Sequence, residues 1–372
     1  MKKKIAIIGA GIAGLTLGNF LQKNPNYEFM IYEKEETLNL EEGFGIQLAV
    51  NSISILNQIG FSKINKSDIY NPKNLDFYSK HDKVCNLDLT QFNTEKEKYS
   101  TLKRSSLISF LKGNLFSNVF RFSKTIKMIE HKEEKISLDF TDGNTDVVDF
   151  LIVADGVFSA TRSIVENKKT KINFQGAFAA RTTIRKNNFR IFDKENISII
   201  MCPNAHLVSY PVNENEYNFV ATIRNKPNTP DNKNKELLKN ILKQNNLNIL
   251  FDNTLSFWPI YSSYKPTISK YKNIFYLGDA LYTFPPTMAQ GASQSIEGAE
   301  EIFKIFENNN HNKQDIYQAI RLERIKIVSK RSNFNFFIFH LSNQFFIKIR
   351  NFVLRKLIYN KKFIDTFLGR VF

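Results

Sequence analysis

Residues 3–33, KKIAIIGAGIAGLTLGNFLQKNPNYEFMIYE, run from a short apolar stretch into Gly9-x-Gly11-x-x-Gly14 and end on Glu33, with Lys34 next. Ile5, Ile7 and Ile8 suit a strand buried on both faces, as in a parallel sheet. Gly9 permits a tight turn, Gly11 lets a pyrophosphate approach the backbone, and Gly14 lets the following helix pack against the strand. Ile12 and Ala13 then fall in the first helical turn, where free N–H groups and the positive dipole end favour phosphate. Glu33 closes a second strand, Glu28–Tyr32, where an acidic side chain would accept from a ribose hydroxyl. A lone glycine fingerprint is weak. Strand, helix, second strand and acid in this order read as a dinucleotide site, against the alternative of a glycine turn used only for packing.

A chain of 372 residues can bury a large core and has room for about two domains. Hydrophobic residues at 42% and charged residues at 24% are ordinary for a globular protein. The formal net charge of +16 invites a nucleic-acid reading, but lysine is spread along the whole chain and no nucleic-acid motif occurs. No nucleic-acid partner is expected. Cys85 and Cys202 lie far apart and match no metal spacing, so free thiols and no metal are expected. The apolar run behind Lys2–Lys4 is too short for a signal peptide, and no stretch reaches the ~18 apolar residues of a membrane span. The chain reads as cytoplasmic, as a monomer or homodimer.

The texture changes along the chain. Helical spacing marks Asn51–Gln58 and Ser105–Leu115, and residues 126–141 read as strands around a charged turn. Asp149–Ala154 is another buried-strand run, ending at Asp155-Gly156. From about Phe174 to Tyr261 short alternating strands predominate, interrupted by a charged helix over Lys235–Lys243. Nucleotide-domain texture returns at Asn273–Leu277, followed by Gly278-Asp279-Ala280, and helical pattern fills Gly291–Lys362. The expectation is an α/β protein with a discontinuous nucleotide domain (1–68, 98–170 and 264–345). A mostly antiparallel substrate layer (69–97 and 171–263) is inserted in it, and 346–372 form a basic amphipathic tail. The tail stripe Phe345, Phe346, Ile349, Phe352, Val353 and Leu357 is expected to pack on the body; peripheral attachment to an anionic membrane is the alternative.

Three motifs occur in order: Gly9-x-Gly11-x-x-Gly14, the run Leu151–Arg162 (LIVADGVFSATR), and Gly278-Asp279-Ala280 followed by Pro285–Ala292 (PPTMAQGA). Together they resemble the single-component FAD-dependent aromatic hydroxylases of the para-hydroxybenzoate hydroxylase superfamily. The resemblance implies a Rossmann-type FAD-binding domain (GR2-like), an inserted antiparallel sheet and a helical C-terminus. Gly43-x-Gly45-Ile46-Gln47-Leu48-x-x-Asn51, His206–Val212 (HLVSYPV), Arg331-Ser332-Asn333 and His340-Leu341-Ser342 are similar to the salicylate hydroxylase-like branch, which includes 6-hydroxynicotinate 3-monooxygenase. Three places depart from the pattern: Tyr282 stands where histidine is common, Gly298 follows Glu297 where aspartate is common, and Phe367–Arg370 replace an aromatic closing motif.

The resemblance implies FAD contacts at Gly9, Gly11, Ile12, Ala13, Gly14, Glu33, Lys34, Arg104, Asp155, Gly156, Gly278, Asp279, Pro286, Gln290, Gly291 and Ala292. Asp279 would accept from the ribityl chain, and the amides at Gln290–Ala292 would face the flavin pyrimidine edge, where negative charge grows on reduction. The implied reaction is hydroxylation of a phenolic or hydroxy-heteroaromatic ring through a flavin C4a-hydroperoxide, with O2 and with NAD(P)H as transient reductant. His206 and Tyr210, four apart on an expected strand, share a face. They and Gln47 are the catalytic candidates, His206 as an aid to phenol deprotonation because an ordinary imidazole titrates near neutrality. Two alternatives remain open on the same fold: a membrane-associated polyprenylphenol hydroxylase of the ubiquinone pathway and a flavin-dependent isoprenoid reductase. His81, His131 and His311 are expected to be solvated, and His340 to pack within a helix.

Overall fold

The computed structural model describes residues 2–38, 44–132, 134–185, 193–245, 247, 255, 257–308 and 312–360. Gly43, His311 and Phe367–Arg370 lie outside them. Its eight helices among these residues are α1 (Ile12–Leu21), α2 (Val50–Gln58), α3 (Arg104–Gly113), α4 (Ala160–Val165), α5 (Asp231–Gln244), α6 (Gly291–Glu307), α7 (Lys313–Phe339) and α8 (Gln344–Leu357).

The opening βαβ unit seeds a five-stranded parallel sheet in the order Ile274–Tyr276, Phe150–Val153, Lys3–Ile8, Tyr27–Tyr32, Phe120–Arg121. Its central strands have lost nearly all contact with water, Ile5, Ile7, Ile31, Leu151, Ile152 and Val153 among them. That burial is why they read as continuous apolar runs and not as alternation. α1 lies between this sheet and α6, and its own polar residue is satisfied inside: Asn19 Nδ2 donates to the carbonyls of Leu15 and Leu111, each at 2.8 Å.

The second large sheet has seven strands in the order Phe257–Ser263, Ile172–Arg185, Glu216–Arg224, Ala205–Pro211, Ile197–Cys202, Asn74–Ser79, Asp82–Asp88. All pairings are antiparallel except that of Ile197–Cys202 with Asn74–Ser79. The hairpin of residues 74–88 thus joins a sheet otherwise built a hundred residues later. A three-stranded sheet, Gly45–Leu48, Ser100–Lys103 and Ile69–Tyr70, lies at the crossing points of the chain between the two layers.

The helical end differs from a continuous run. α7 stops at Phe339, and Asn343 restarts α8 by accepting from the amides of Phe345 and Phe346. The tail expectation needs correction. α8 packs on the body through Ile347, Arg350 and Leu354, and Arg355 Nε donates to Val84 O at 3.3 Å, shielding the edge strand Asp82–Asp88. The stripe expected to pack faces outward instead: Phe345, Phe346, Ile349, Phe352 and Val353 are exposed. His131 is also not a solvated residue, since it stacks on Tyr271 and its Nε2 lies 2.8 Å from Asn273 Oδ1.

The closest backbone approach in the nucleotide layer is between α1 and the first turn. A Cβ on Gly14 would sit 2.1 Å from Gly9 O, far inside any real contact. Gly14→Ala is therefore expected to lower the unfolding free energy by about 1–3 kcal/mol, read as an earlier urea midpoint with an unchanged slope.

Candidate active site

Three chain segments meet where α1 begins. Gly9, at φ +107°, lies against Ala154 and Asp155, whose backbone leaves no room for a side chain at that position. Gly278, at φ +61°, lies against Ala13 and Ser295. Glu33 Oε2 accepts from Ala10 N at 2.8 Å, so the acid at the end of the second strand also braces the glycine loop. Gly11, Gly156 and Gly291 behave differently: a Cβ there would meet nothing within 4 Å. Open space stands over these three, as a cradle for a ligand requires.

The helices pointing at this space are uncapped. α1 and α6 have no side-chain cap and no acidic residue in the first turn. Their free amides are therefore available to an anion or to developing negative charge. Asp155 Oδ2 accepts from Thr161 N at 3.2 Å, while its Oδ1 is buried without a partner. Arg162, 2% exposed, ties the Asp155 loop to the Asp279 loop by donating to Val157 O (2.7 Å) and Ala280 O (2.6 Å). Burial raises the Asp279 carboxyl to about 6, with the Arg162 and Arg104 guanidiniums pulling it back.

A cavity of about 350 Å³ extends from Asp279, Pro286 and Gln290–Ala292 to the face of the seven-stranded sheet that carries Arg181, His206 and Tyr210. Behind it is a tighter compartment of about 80 Å³, walled by Leu75, Phe77, Tyr99, Ile199, Met288 and Phe339 and by the buried Asn335. Gln47, His206 and Gln290 border both compartments. Tyr99 donates to Gln47 Oε1 at 2.8 Å, and Gln47 also hydrogen-bonds Tyr210. Burial pushes the Tyr210 phenol above its ordinary range, and the neighbouring Arg181 guanidinium opposes that shift.

His206 lies in a drier setting than the expected chemistry assumes. Burial pushes its imidazole down to about 3 and leaves it neutral, and its Nδ1 lies 2.7 Å from His340 Nε2. Such burial disfavours the protonated ring and weighs against the near-neutral base expected of it. His340 itself caps the end of α7 and faces His206, not merely its own helix.

The remaining expected residues are distributed as follows. Ile12 and Ala13 occupy the first turn of α1 beside Gly278, and Arg104 opens α3 with its guanidinium in the field of Asp279. Lys34 stands in solvent 3.3 Å from Glu35 and joins neither cavity. Tyr282 is buried against Phe284, ring centres 4.8 Å apart, with its hydroxyl on Ser329. Gly298 packs closely, since a Cβ would lie 2.9 Å from Leu277 Cδ1 and displace that side chain, while Glu297 is held by Arg324 at 2.7 Å and by Asn51. Tyr99, Arg162, Asn335 and His340 were not singled out from the sequence for the site. Arg162 and His340 had a signal, as the last residue of LIVADGVFSATR and the first of His340-Leu341-Ser342; Tyr99 and Asn335 had none.

The family described as FAD binding domain matches residues 2–330. The chain belongs to this family. A 3-amino-4-hydroxybenzoate 2-monooxygenase of Streptomyces platensis is 25% identical over 368 residues, covering 91% of this chain and 89% of that protein. A 6-hydroxynicotinate 3-monooxygenase of Bordetella bronchiseptica is 24% identical over 361 residues, covering 90% and 91%. Among solved structures, Klebsiella pneumoniae HpxO complexed with FAD and uric acid superposes with a TM-score of 0.85 at 17% identity, covering 99% of this chain and 96% of that one. A salicylate hydroxylase substrate complex gives 0.77 at 17% identity, covering 99% and 98%. These two carry the fold alone.

The open space over Gly11 and Gly291, the bare helix ends and the orphan Asp155 Oδ1 all fit FAD. Gly11→Val is expected to give folded but colourless protein, because the added side chain enters ligand space and not the core. The raised Asp279 group makes a second test. The stability of its protonated form is fully present below about pH 4 and is lost as pH rises through about 6. Asp279→Asn should therefore raise the melting temperature of flavin-free protein at neutral pH and leave it unchanged below pH ~4. It should also weaken FAD binding by about 10–100-fold, the worth of a hydrogen bond to a charged group.

Proposed function

We propose that this chain is an FAD-dependent monooxygenase that hydroxylates a small phenolic or hydroxy-heteroaromatic ring, using O2 and NAD(P)H. One observation carries the reading: a cavity runs from the uncapped end of α6 and Asp279 to a polar cluster of Gln47, Arg181, His206 and Tyr210, and shares Gln47, His206 and Gln290 with a second, tighter and mostly apolar compartment. Relatives aligned over about nine-tenths of the chain carry aromatic monooxygenase names, which favours the same reaction class.

FAD, when bound, would supply the redox chemistry and the activation of O2. The chain's own residues do the rest. The first-turn amides of α1, with Glu33 and Asp155, would hold the dinucleotide; Gly278, Asp279 and Arg104 would hold the ribityl side; and Pro286 with Gln290–Ala292 would border the ring. The α6 amides lie where they would oppose negative charge on the reduced ring. Leu75, Phe77, Ile199 and Phe339 exclude water from the inner compartment. Tyr99 fixes the Gln47 amide, and Gln47 hydrogen-bonds the Tyr210 hydroxyl in the field of Arg181, so a substrate oxygen would meet oriented polar groups. No second glycine fingerprint occurs in the sequence, which suits a reductant that docks transiently at the surface.

The decisive experiment is an anaerobic stopped-flow screen of hydroxylated aromatic acids for faster flavin reduction by NADH or NADPH, followed by oxygen uptake and product analysis in air. At least one compound is expected to accelerate reduction and leave with one added oxygen atom. Reduction without oxygen uptake would move the chain to the reductase class. His206→Ala should retain bound flavin and lose about 10–100-fold in kcat/KM, the cost of one hydrogen bond to a charged or developing anionic oxygen.

The exposed face of α8 supports a second proposal, peripheral contact with an anionic membrane. Phe345, Phe346, Ile349, Phe352 and Val353 stand outward with Lys348, Arg355 and Lys356 on the same helix, and Phe334 and Phe337 of α7 extend the patch. No helix among the described residues is long and apolar enough to cross a membrane. Vesicles containing phosphatidylglycerol should sediment the protein and neutral vesicles should not. Phe346→Glu with Phe352→Glu should abolish the sedimentation without changing bound flavin; equal binding to both vesicle types would refute the contact.

A further inference from the structure

Three residues from distant parts of the chain form a line that ends at the cavity. Arg224 closes a strand of the seven-stranded sheet and lies over the Phe336 ring, 5.4 Å from its centre. Its Nε is 3.2 Å from His340 Nδ1. His340 Nε2 is in turn 2.7 Å from His206 Nδ1. Phe336 meets the His340 ring edge-on at 4.6 Å, and Phe339 packs on His206 at 5.4 Å, so neither imidazole is free to turn.

The donor directions along this line follow from one fact. A guanidinium nitrogen can only donate. Arg224 Nε–H therefore requires an unprotonated Nδ1 on His340. A neutral His340 then carries its proton on Nε2, and that N–H points at His206 Nδ1. His206 Nδ1 must accept, so the His206 proton sits on Nε2. Burial, with the Arg224 charge beside His340, disfavours the doubly protonated forms that would break the line. Among the described residues His206 Nε2 has no hydrogen-bond partner, and His206 borders both compartments of the cavity.

We propose that Arg224 and His340 are positioning residues that lock His206 in its Nε2–H tautomer, so that the cavity offers the substrate a hydrogen-bond donor and not a base. The ligand class follows: an aromatic ring bearing an acceptor oxygen at that point, as a phenolate, a ring carbonyl or a carboxylate. A phenol bound there gives its proton to a group other than His206 or arrives already ionised. The substrate part of this inference rests on the monooxygenase reading; the tautomer does not.

The test uses the FAD-loaded protein labelled with 15N-histidine, whose long-range 1H–15N spectrum distinguishes the two tautomers of each ring. His206 is assigned by the signals lost in His206→Asn. In the unmodified protein His206 is expected as a single Nε2–H tautomer. His340→Gln should preserve it, because the amide can accept from Arg224 and donate to His206. His340→Leu and Arg224→Met should each leave a mixture or the opposite tautomer, with flavin still bound. With the aromatic that most accelerates flavin reduction in the screen, His340→Leu should lose about 10–100-fold in kcat/KM, while His340→Gln stays within about threefold of the unmodified enzyme. A proton on His206 Nδ1 in the unmodified protein overturns the inference, as does a tautomer that ignores Arg224→Met, which leaves the buried packing intact if His340→Leu misfolds. If no aromatic is turned over but the tautomer pattern holds, the monooxygenase reading falls and the relay stands.

Discussion

The passage of α1 across the first strand is the constraint on which the rest of the molecule depends. At Gly9 and Gly14 the helix and the turn touch backbone to backbone, at a separation that no side chain can enter. This closeness brings the start of α1 to Gly278 on one side and lets the Ala154–Asp155 peptide close over Gly9 on the other. Three sequence motifs separated by more than a hundred residues each therefore share one small volume. A looser crossing would still give a parallel sheet, but the two bare helix ends would no longer border the same space.

Holding loops together inside such a site has an electrostatic cost. Arg162 is almost wholly buried, and its donors are spent on carbonyls and on Thr170. It couples the second and third motifs mechanically and partly offsets the burial of Asp279. Asp279 remains a carboxylate poorly solvated in the flavin-free chain. That is a local violation of the rule that buried charge should be paired, of the kind expected where function outweighs stability.

Much of this architecture was legible in residues 3–33 and in the two later motifs, because glycine spacing and buried-strand runs are local signals. The break between α7 and α8 was missed, because apolar pattern continues on both sides of the Asn343 cap. What could not be read was any partnership across the chain. Gln47 meets Tyr99 over 52 positions and His206 meets His340 over 134, with no periodicity that links them. The setting of His206 was hidden for the same reason: a strand position reports which face a ring shares, not how dry its surroundings are or which neighbour takes its nitrogen. The outward face of α8 failed differently, since a stripe on one helix does not reveal which of its two sides the body will claim.

The seam between the two layers passes through Gly45, whose amide donates to Asn218 Oδ1 at 2.7 Å and whose missing Cβ leaves room for the Asn218 side chain. Gly45 opens a strand of the small three-stranded sheet, and Asn218 belongs to the seven-stranded one. Neither can change alone without a clash or an orphaned amide, so the two form a unit of inheritance. A chimera that borrows its larger sheet from a relative must carry the matching residue of the smaller sheet along with it.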